Sequence, residues 1–211
     1  GSISCSTNSG SSSGGSVREL AQHITDLVEN SVRAGARRIQ VDLEESSEEG
    51  LVVLTVQDDG CGMPLDVVEK VTDPFFTTRQ CRAVGLGLPL LAASSERAGG
   101  GLRIESQPGR GTVVRAHFKA SHLDTPPIGD LKGAILCAIV GHQEVDIRFR
   151  RAVDGQSTEI DSGQIKAELG AVPLSHPAIL EWLEQAVAEA VAAPQDDAAG
   201  EEETDAEAHQ S

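Results

Sequence analysis

The stretch DPFFTTRQCRAVGLGLPLL, residues 73–91, combines features that a hydrophobic core alone does not explain. It contains Phe75 and Phe76, two of the four phenylalanines in a chain that has one Trp and no Tyr. A polar Thr-Thr-Arg run and a Gly-Leu-Gly follow these aromatics, directly before an apolar run. A glycine-rich helix start leaves backbone N–H groups free at the positive end of the helix dipole, which suits a phosphate. The alternative is a packed loop followed by a glycine turn.

Regular elements are predicted on both sides of this stretch. Leu20, Ile24, Leu27 and Val28 recur at helical spacing, and short alternating apolar runs are typical of strands. In chain order, the predicted elements are a helix (17–34), two strands (37–45 and 51–57), a short helix (64–71), a helix (86–100) and two strands (102–106 and 112–118). This order predicts helices layered on one face of a largely antiparallel sheet.

The first predicted helix carries Asp26 and Asn30, which are four residues apart and therefore share one face. A carboxylate and an amide oxygen in this arrangement suit Mg²⁺ and a water beside a polyphosphate, because hard cations prefer oxygen ligands. The alternative is an ordinary solvated helix face. His23, one turn earlier, is expected to pack or to face solvent rather than to react.

The segment QDDGCGM, residues 57–63, follows the second predicted strand. It is either a tight turn or a binding loop in which Asp58 accepts a hydrogen bond from the amino group of a ligand. In a binding loop, Gly60 and Gly62 would let the backbone approach a flat ring. The segment GRGT, residues 109–112, is by itself no more than a hairpin turn.

The bulk composition narrows the class of protein. A net charge of −16 argues against general binding to nucleic acid or to an anionic membrane, because both need clustered Lys and Arg. No apolar run approaches the roughly 18 residues of a membrane span, and no signal sequence opens the chain. The four cysteines are scattered without a CxxC pair, which argues against a metal site of Cys ligands and favours a reducing compartment. A cytoplasmic protein is therefore expected.

Composition divides the chain into four parts. Residues 1–16 are rich in Ser and Gly and are expected to form a flexible tail, and residues 193–211 form an acidic tail that should stay solvated. Residues 17–120 contain the segments described above. A break at SHLDTPPIGD opens a small α/β appendage over residues 121–192. Its predicted elements are a helix (130–141), two strands (146–153 and 158–162) and two helices (163–169 and 176–192).

The order of the polar and glycine segments across residues 17–120 resembles the nucleotide-binding domain shared by DNA gyrase, the Bergerat-type heat-shock chaperone, histidine kinases and mismatch-repair MutL. DLVENSVRAGA, residues 26–36, is most similar to the MutL version, and the stretch from DPFFTTR to GRGT is most similar to histidine kinases. No GxxxxGK[ST] P-loop is present. The resemblance implies a Bergerat-type α+β fold, a two-layer sandwich of helices on a mixed, largely antiparallel sheet.

The resemblance also implies ATP and Mg²⁺ as cofactors and a role for each motif residue. Asn30 corresponds to the Mg²⁺ ligand, Asp26 to the general base and Asp58 to the carboxylate that reads adenine. A mobile lid over the triphosphate is implied for residues 77–84, with Arg79 available to the phosphates. The implied nucleotide-contacting residues are Asn30, Asp58, Gly60, Gly62, Met63, Phe76, Thr77, Thr78, Arg79, Gly85, Leu86, Gly87, Leu88 and Thr112.

Three departures from the family pattern bear on activity. Ala83 stands where the family usually has the first glycine of its second glycine-rich box, which restricts lid motion. Asp26 replaces the glutamate of strongly hydrolytic members and the asparagine of most histidine kinases. No helical hairpin with a phosphoacceptor histidine precedes the motifs, so a self-phosphorylating histidine kinase is not expected.

These features predict a regulatory module that binds Mg-ATP, hydrolyses it slowly and couples nucleotide state to a protein partner. A serine kinase acting in trans, like the anti-sigma members of this fold, and a non-catalytic ATP sensor are the alternatives. The segments SHLDTPPIGD and GAVPLSHPAILEWL are similar to stand-alone bacterial ATPases that occur near iron-iron hydrogenase genes. This similarity implies a hydrogenase-related partner.

Overall fold

The structure, a computed structural model, describes residues 18–71 and 86–194. In chain order these ranges contain α1 (Leu20–Arg33), β1 (Arg38–Ser46), β2 (Leu51–Asp58), α2 (Leu65–Val68), α3 (Gly87–Arg97), β3 (Gly101–Gln107), β4 (Gly111–Lys119), α4 (Leu131–Gly141), β5 (Asp146–Val153), β6 (Gln156–Asp161), α5 (Ser162–Leu169) and α6 (Pro177–Val191). Each predicted helix and strand is confirmed, with bounds that shift by a few residues. None of the helices in these ranges has the length and apolarity that crossing a bilayer requires.

The strands form one six-stranded sheet in the order β3-β4-β2-β1-β5-β6. Four of the neighbouring pairs are antiparallel, and β1 pairs with β5 in parallel. The register places Asp58 at the end of β2 directly opposite Thr112 of β4. The predicted α+β fold with a mixed, largely antiparallel sheet is therefore confirmed.

One face of the sheet is covered by helices because its strands alternate. Ile39, Val41 and Leu43 of β1 are buried, whereas the residues between them are partly exposed. Helix α1 packs on this face through an apolar stripe that includes Leu20 and Ile24. Helices α3, α4 and α6 contact the same sheet, and the buried side chains form one continuous cluster. This core positions α1 across the strands that carry the polar residues.

The C-terminal segment continues the same sheet. Strand β5 pairs with β1 along its length, and α4 contacts α1. The backbone N–H groups of Leu20 and Ala21 donate to the carbonyl oxygens of Pro127 and Ile128, at 2.8 and 2.9 Å. The division of the chain at residue 120 stays a prediction, but the two parts share one sheet and one core.

Candidate functional site

The C-terminal half of α1, the adjoining ends of β2 and β4, and the start of α3 converge on one cleft. Six of the predicted nucleotide-contacting residues line it: Asn30, Asp58, Gly62, Met63, Leu88 and Thr112. Sequence reasoning missed the other lining residues, which are Leu27, Ser31, Ala34, Val56, Cys61 and Val114. Most of them lie at helical spacing from Asn30 or two residues along a strand from Asp58 or Thr112, a signal that could have found them. The cleft thus has mainly apolar walls and a few polar groups at fixed positions.

Asp58 is held by two hydrogen bonds at the end of β2. Its Oδ2 accepts from the Ser31 hydroxyl at 2.8 Å, and its Oδ1 accepts from the backbone N–H of Gly60 at 2.9 Å. A carboxylate oxygen can accept more than one hydrogen bond, so both oxygens keep acceptor capacity toward the cleft. The side chain is therefore oriented in advance for a ligand that donates an N–H.

The loop after Asp58 is anchored to the β3–β4 hairpin. The backbone N–H of Met63 donates to the Ser106 hydroxyl at 2.8 Å, and that hydroxyl lies 2.9 Å from the Thr112 hydroxyl. Gly62 has a φ of 64°, and a Cβ at this position would lie 1.9 Å from the carbonyl oxygen of Gln107. Glycine is therefore required at position 62 because the backbone there passes close to β3, another strand of the protein.

Asp26 lies against the first residue of α3. A Cβ added to Gly87 would lie 2.9 Å from the Asp26 Cβ, so only glycine lets the two helices approach this closely. Among the described residues no side chain caps the start of α3, and the N–H groups of Gly87 and Leu88 at this end suit an anion, whereas Pro89 has no N–H. Asp26 Oδ2 forms an ion pair with Arg18. A carboxylate, an arginine and free N–H groups therefore meet beside the cleft.

Asn30 presents a carboxamide to the cleft without a full set of partners. Its buried Nδ2 has no hydrogen-bond partner among the described residues, and its Oδ1 accepts a long hydrogen bond of 3.4 Å from Arg33 Nη1. Buried polar groups nearly always have a partner, so this amide is suited to a polar ligand. Rotation of the amide would present its oxygen to a cation instead. The residue thus fits the Mg²⁺ role implied for it.

The match to known proteins covers about half of the chain. Residues 15–122 match the sequence profile of the histidine kinase-, DNA gyrase B- and HSP90-like ATPases. The chain belongs to this family. The resemblance inferred from the motifs is confirmed, and the cleft lies within the matched ATPase domain.

Individual relatives of this ATPase domain are longer proteins. A sensor protein of Shewanella frigidimarina is 30% identical over 114 residues, which are 52% of this chain and 17% of that protein. Sporulation kinase C of Bacillus subtilis is 29% identical over 101 residues, 48% of this chain and 23% of that kinase. The catalytic domain of histidine kinase ThkA is 26% identical with a TM-score of 0.38, covering 47% of this chain and 64% of that one. The matched part thus spans about a fifth of the two curated relatives.

The structure places only part of the predicted ATP site. Gly60 donates its N–H to Asp58 without lining the cleft itself, and Leu86 is exposed just before α3. The lid at residues 77–84, including Ala83, lies outside the described residues. So do five of the predicted nucleotide-contacting residues, which are Phe76, Thr77, Thr78, Arg79 and Gly85.

His23 packs in the core of the ATPase domain, one turn before Asp26. Only 1% of its surface is exposed, and neither ring nitrogen has a hydrogen-bond partner among the described residues. Burial, and after it the positive charge of Arg18, lowers the pKa of His23 to about 4. The ring is therefore neutral at pH 7, and protonating it opposes folding.

Lowering the pH from 7 to 5 is expected to destabilise the protein by about 2 kcal/mol through His23 alone. The pKa of this ring is about 4 when folded and near its ordinary value of 6.5 when unfolded, so between these values the unfolded chain binds more protons. The contribution of the neutral His23 ring to the free energy of unfolding is present above pH 6.5 and is lost as the pH falls toward 4. Urea unfolding at both pH values measures the loss, which a His23→Leu variant should reduce by that amount. Equal losses in both proteins would contradict the assignment.

Proposed function

We propose that the chain is a regulatory module that binds Mg-ATP, hydrolyses it slowly and presents a different surface to a protein partner in each nucleotide state. The observation that carries this proposal is the position of Asp26, whose carboxylate lies against the start of α3 beside the ATP cleft. The scattered cysteines accord with a cytoplasmic location.

The adenine ring is proposed to bind beside Asp58. The apolar side chains of Leu27, Met63 and Val114 line the cleft and can contact both faces of a flat ring. Asp58 then accepts a hydrogen bond from the adenine amino group, and its bonds to Ser31 and Gly60 hold it in place for this contact. Selection of adenine follows, because a base without an amino group at that position would leave the carboxylate without this donor.

The triphosphate is proposed to extend toward the start of α3. The N–H groups of the first turn and the guanidinium of Arg18 supply positive potential there. Asn30 would hold Mg²⁺, which would neutralise part of the phosphate charge. No cluster of three or more His, Cys, Asp or Glu side chains within residues 18–71 and 86–194 could hold a metal by itself. A bound ion would therefore take most of its ligands from phosphates and water.

Asp26 is proposed as the general base. Its carboxylate accepts a proton from water as the water oxygen bonds to the γ-phosphorus and the bond from that phosphorus to the ADP oxygen breaks. ADP and inorganic phosphate are the products. Aspartate is shorter than glutamate by one C–C bond, and base catalysis depends on placement, so slow turnover is expected.

Replacing Asp26 by asparagine is expected to lower ADP formation by at least about 100-fold, because the amide cannot accept the proton. ATP affinity should change by less than about fivefold, since Asp26 is absent from the adenine end of the cleft. A coupled ADP assay measures turnover and calorimetry measures affinity. Asp66→Asn, which removes an exposed carboxylate of α2, is the matched control. If wild type and Asp26→Asn make ADP equally fast, the hydrolytic part of the proposal is wrong.

A serine kinase acting in trans is the second candidate, because the carboxylate of Asp26 could equally accept a proton from a serine hydroxyl. Incubation of the protein with labelled ATP and a cell lysate separates the functions. Label released as inorganic phosphate supports hydrolysis, whereas label on serine of another protein supports the kinase. Tight ATP binding without phosphate release and without labelling of serine supports a non-catalytic ATP sensor. Label on a histidine of the chain itself would contradict the proposal that it is not a self-phosphorylating kinase.

A further inference from the structure

A second concave surface, which we term the helical groove, lies between α1, α4 and α6. Its volume is about 510 Å³, which is in the range of sites that bind several side chains or a small ligand. Its apolar lining comes mainly from Ala134, Leu136 and Val140 of α4, with Val28 of α1 and Leu180 of α6. The groove is therefore large enough to take the apolar side chains of another helix.

Helix α4 is the unusual wall of this groove. Its sequence, LKGAILCAIVG, has a single charged residue, and its apolar residues continue around the whole helix. A helix that is apolar all round is normally buried. Leu131, Ile135 and Ile139 face the core, whereas the groove side of α4 is partly exposed. An unburied apolar face of this kind is typical of a surface that a partner covers.

The carboxylates that line the groove are Glu29 and Glu184, and α6 carries three carboxylates with no Lys or Arg. His142 and Cys137 are the other titratable groups of the lining, and the Nε2 of His142 lies 3.0 Å from Glu29 Oε1. A partner with positive side chains beside its apolar ones would match this charge.

We propose that the helical groove binds an amphipathic helix of a partner protein, with an apolar stripe at i, i+3 or i+4, and i+7 flanked by Lys or Arg. This is the helix-in-groove mode of recognition. The proposal rests on the proposed function, since it identifies the partner surface that nucleotide state would control.

The groove and the ATP cleft lie on opposite flanks of α1. Residues turn by about 100° each along a helix, so Thr25, Val28 and Glu29 project to one side. Leu27 and Asn30 project to the other side and line the ATP cleft. A displacement or rotation of α1 at one site therefore acts directly on the other.

A chain of polar contacts also crosses α1 between the two sites. His142 of α4 contacts Glu29 at 3.0 Å, and Glu29 Oε2 lies 3.5 Å from Arg33 Nη2. Arg33 Nη1 in turn donates to Asn30 Oδ1 at 3.4 Å. When the Asn30 amide turns to a metal or phosphate it releases Arg33, which then pairs more closely with Glu29. A partner's basic side chain competes for the same Glu29, so peptide affinity should depend on nucleotide.

The test uses the full chain and a fluorescein-labelled synthetic 16-residue peptide with leucines on one helical stripe and lysines beside it. A peptide of the same composition with the leucines spread around the helix is the control for non-specific attraction to an acidic protein. Fluorescence anisotropy should show at least tenfold tighter binding of the stripe peptide. Equal binding of the two peptides would overturn the proposal.

Variants of the chain locate the binding surface. Glu184→Lys changes a charge at the groove, and Ala134→Trp fills the groove. Each substitution should weaken binding of the stripe peptide at least fivefold. Glu189→Lys makes the same charge change on α6 at a residue that does not line the groove and should stay within twofold. Equal effects of Glu184→Lys and Glu189→Lys would contradict the assignment. Concentration-dependent dimerisation that Ala134→Trp abolishes would show that a second copy occupies the groove instead.

A non-hydrolysable ATP analogue with Mg²⁺ tests the link between the sites. It should change the Kd of the stripe peptide at least threefold in wild type, and Arg33→Gln should remove this change while peptide binding itself remains. No change in wild type would overturn the link. Calorimetry on the same samples separates the proposals. ATP binding without stripe-peptide binding rejects the groove alone, whereas peptide binding without ATP binding rejects the proposed function and leaves the groove.

Discussion

Replacing Asp58 by asparagine is expected to weaken ATP binding by tenfold to more than a hundredfold. A hydrogen bond to a charged group contributes about 1.5–3 kcal/mol, and about 1.4 kcal/mol corresponds to a factor of ten in affinity. The asparagine oxygen can keep the contact with Gly60 while its NH2 group donates to the Ser31 hydroxyl, but the variant then has one acceptor oxygen instead of two and no negative charge to offer the adenine amino group. Calorimetric titration of the folded variant with Mg-ATP measures the effect.

The neighbouring Asp59 provides a matched control for this substitution. Its Oδ1 accepts from the backbone N–H groups of Arg37 and Arg38 at 2.7 and 2.9 Å, outside the ATP cleft. Partial desolvation raises the pKa of Asp59, but the backbone donors Arg38 and Arg37 outweigh it and lower that pKa overall. Asp59→Asn should therefore reduce stability and leave ATP affinity within about twofold. Equal loss of ATP affinity in both variants would remove the special role of Asp58.

Replacing Gly62 by alanine is expected to destabilise the fold by at least about 3 kcal/mol, in the range of the most damaging single substitutions. The new Cβ would lie 1.9 Å from the Gln107 carbonyl oxygen and 2.7 Å from its carbon, and no side-chain rotation relieves a clash with backbone. The φ of 64° adds strain for any residue with a Cβ. Urea unfolding monitored by circular dichroism measures the loss.

Gly109→Ala isolates the backbone strain from the clash. Gly109 has a φ of 75° in the neighbouring turn, but a Cβ there would meet nothing within 4 Å. Its loss should be about 1 kcal/mol, from the left-handed conformation alone. Similar losses at the two glycines would show that the approach of Gly62 to β3 is unimportant. If the Gly62→Ala protein is insoluble while the Gly109→Ala protein is soluble, that result would also support the larger loss of stability predicted at Gly62.

Sequence reasoning identified the polar centre of the cleft but only part of its apolar walls, namely Met63 and Leu88. Asn30 alone could belong to an ordinary helix face and Asp58 to a tight turn, and it was the order of the motifs along the chain that drew attention to them. Ser31 lies inside the segment 26–36, but its role in orienting Asp58 depends on how α1 packs beside β2. Val56 and Val114 look like ordinary strand residues. Such residues gain a site role only from the neighbours that the fold brings to them.

Gly62 is a second residue whose neighbours could not be predicted from the sequence. The sequence predicted that a glycine is needed after Asp58 and related this need to the ligand. In the structure the backbone at Gly62 passes against Gln107 of β3, so the protein itself already requires the glycine. A glycine in the sequence can indicate a positive φ or a close backbone approach, but it does not indicate whether a ligand or another strand lies opposite.

The helices and strands could be predicted from hydrophobic periodicity, because it is a local property of the chain, and the family was inferred from the resemblance of the motifs and their order. The parallel pairing of β5 with β1 and the open apolar face of α4 beside α6 could not be predicted in this way and are seen only in the folded protein. The chain of contacts from His142 through Glu29 and Arg33 to Asn30 is likewise seen only in the structure. The β1–β5 pairing, the packing of α4 beside α6 and the contact of His142 with Glu29 connect residues far apart in the chain, and their geometry follows from how the helices and sheet bury their shared apolar surface.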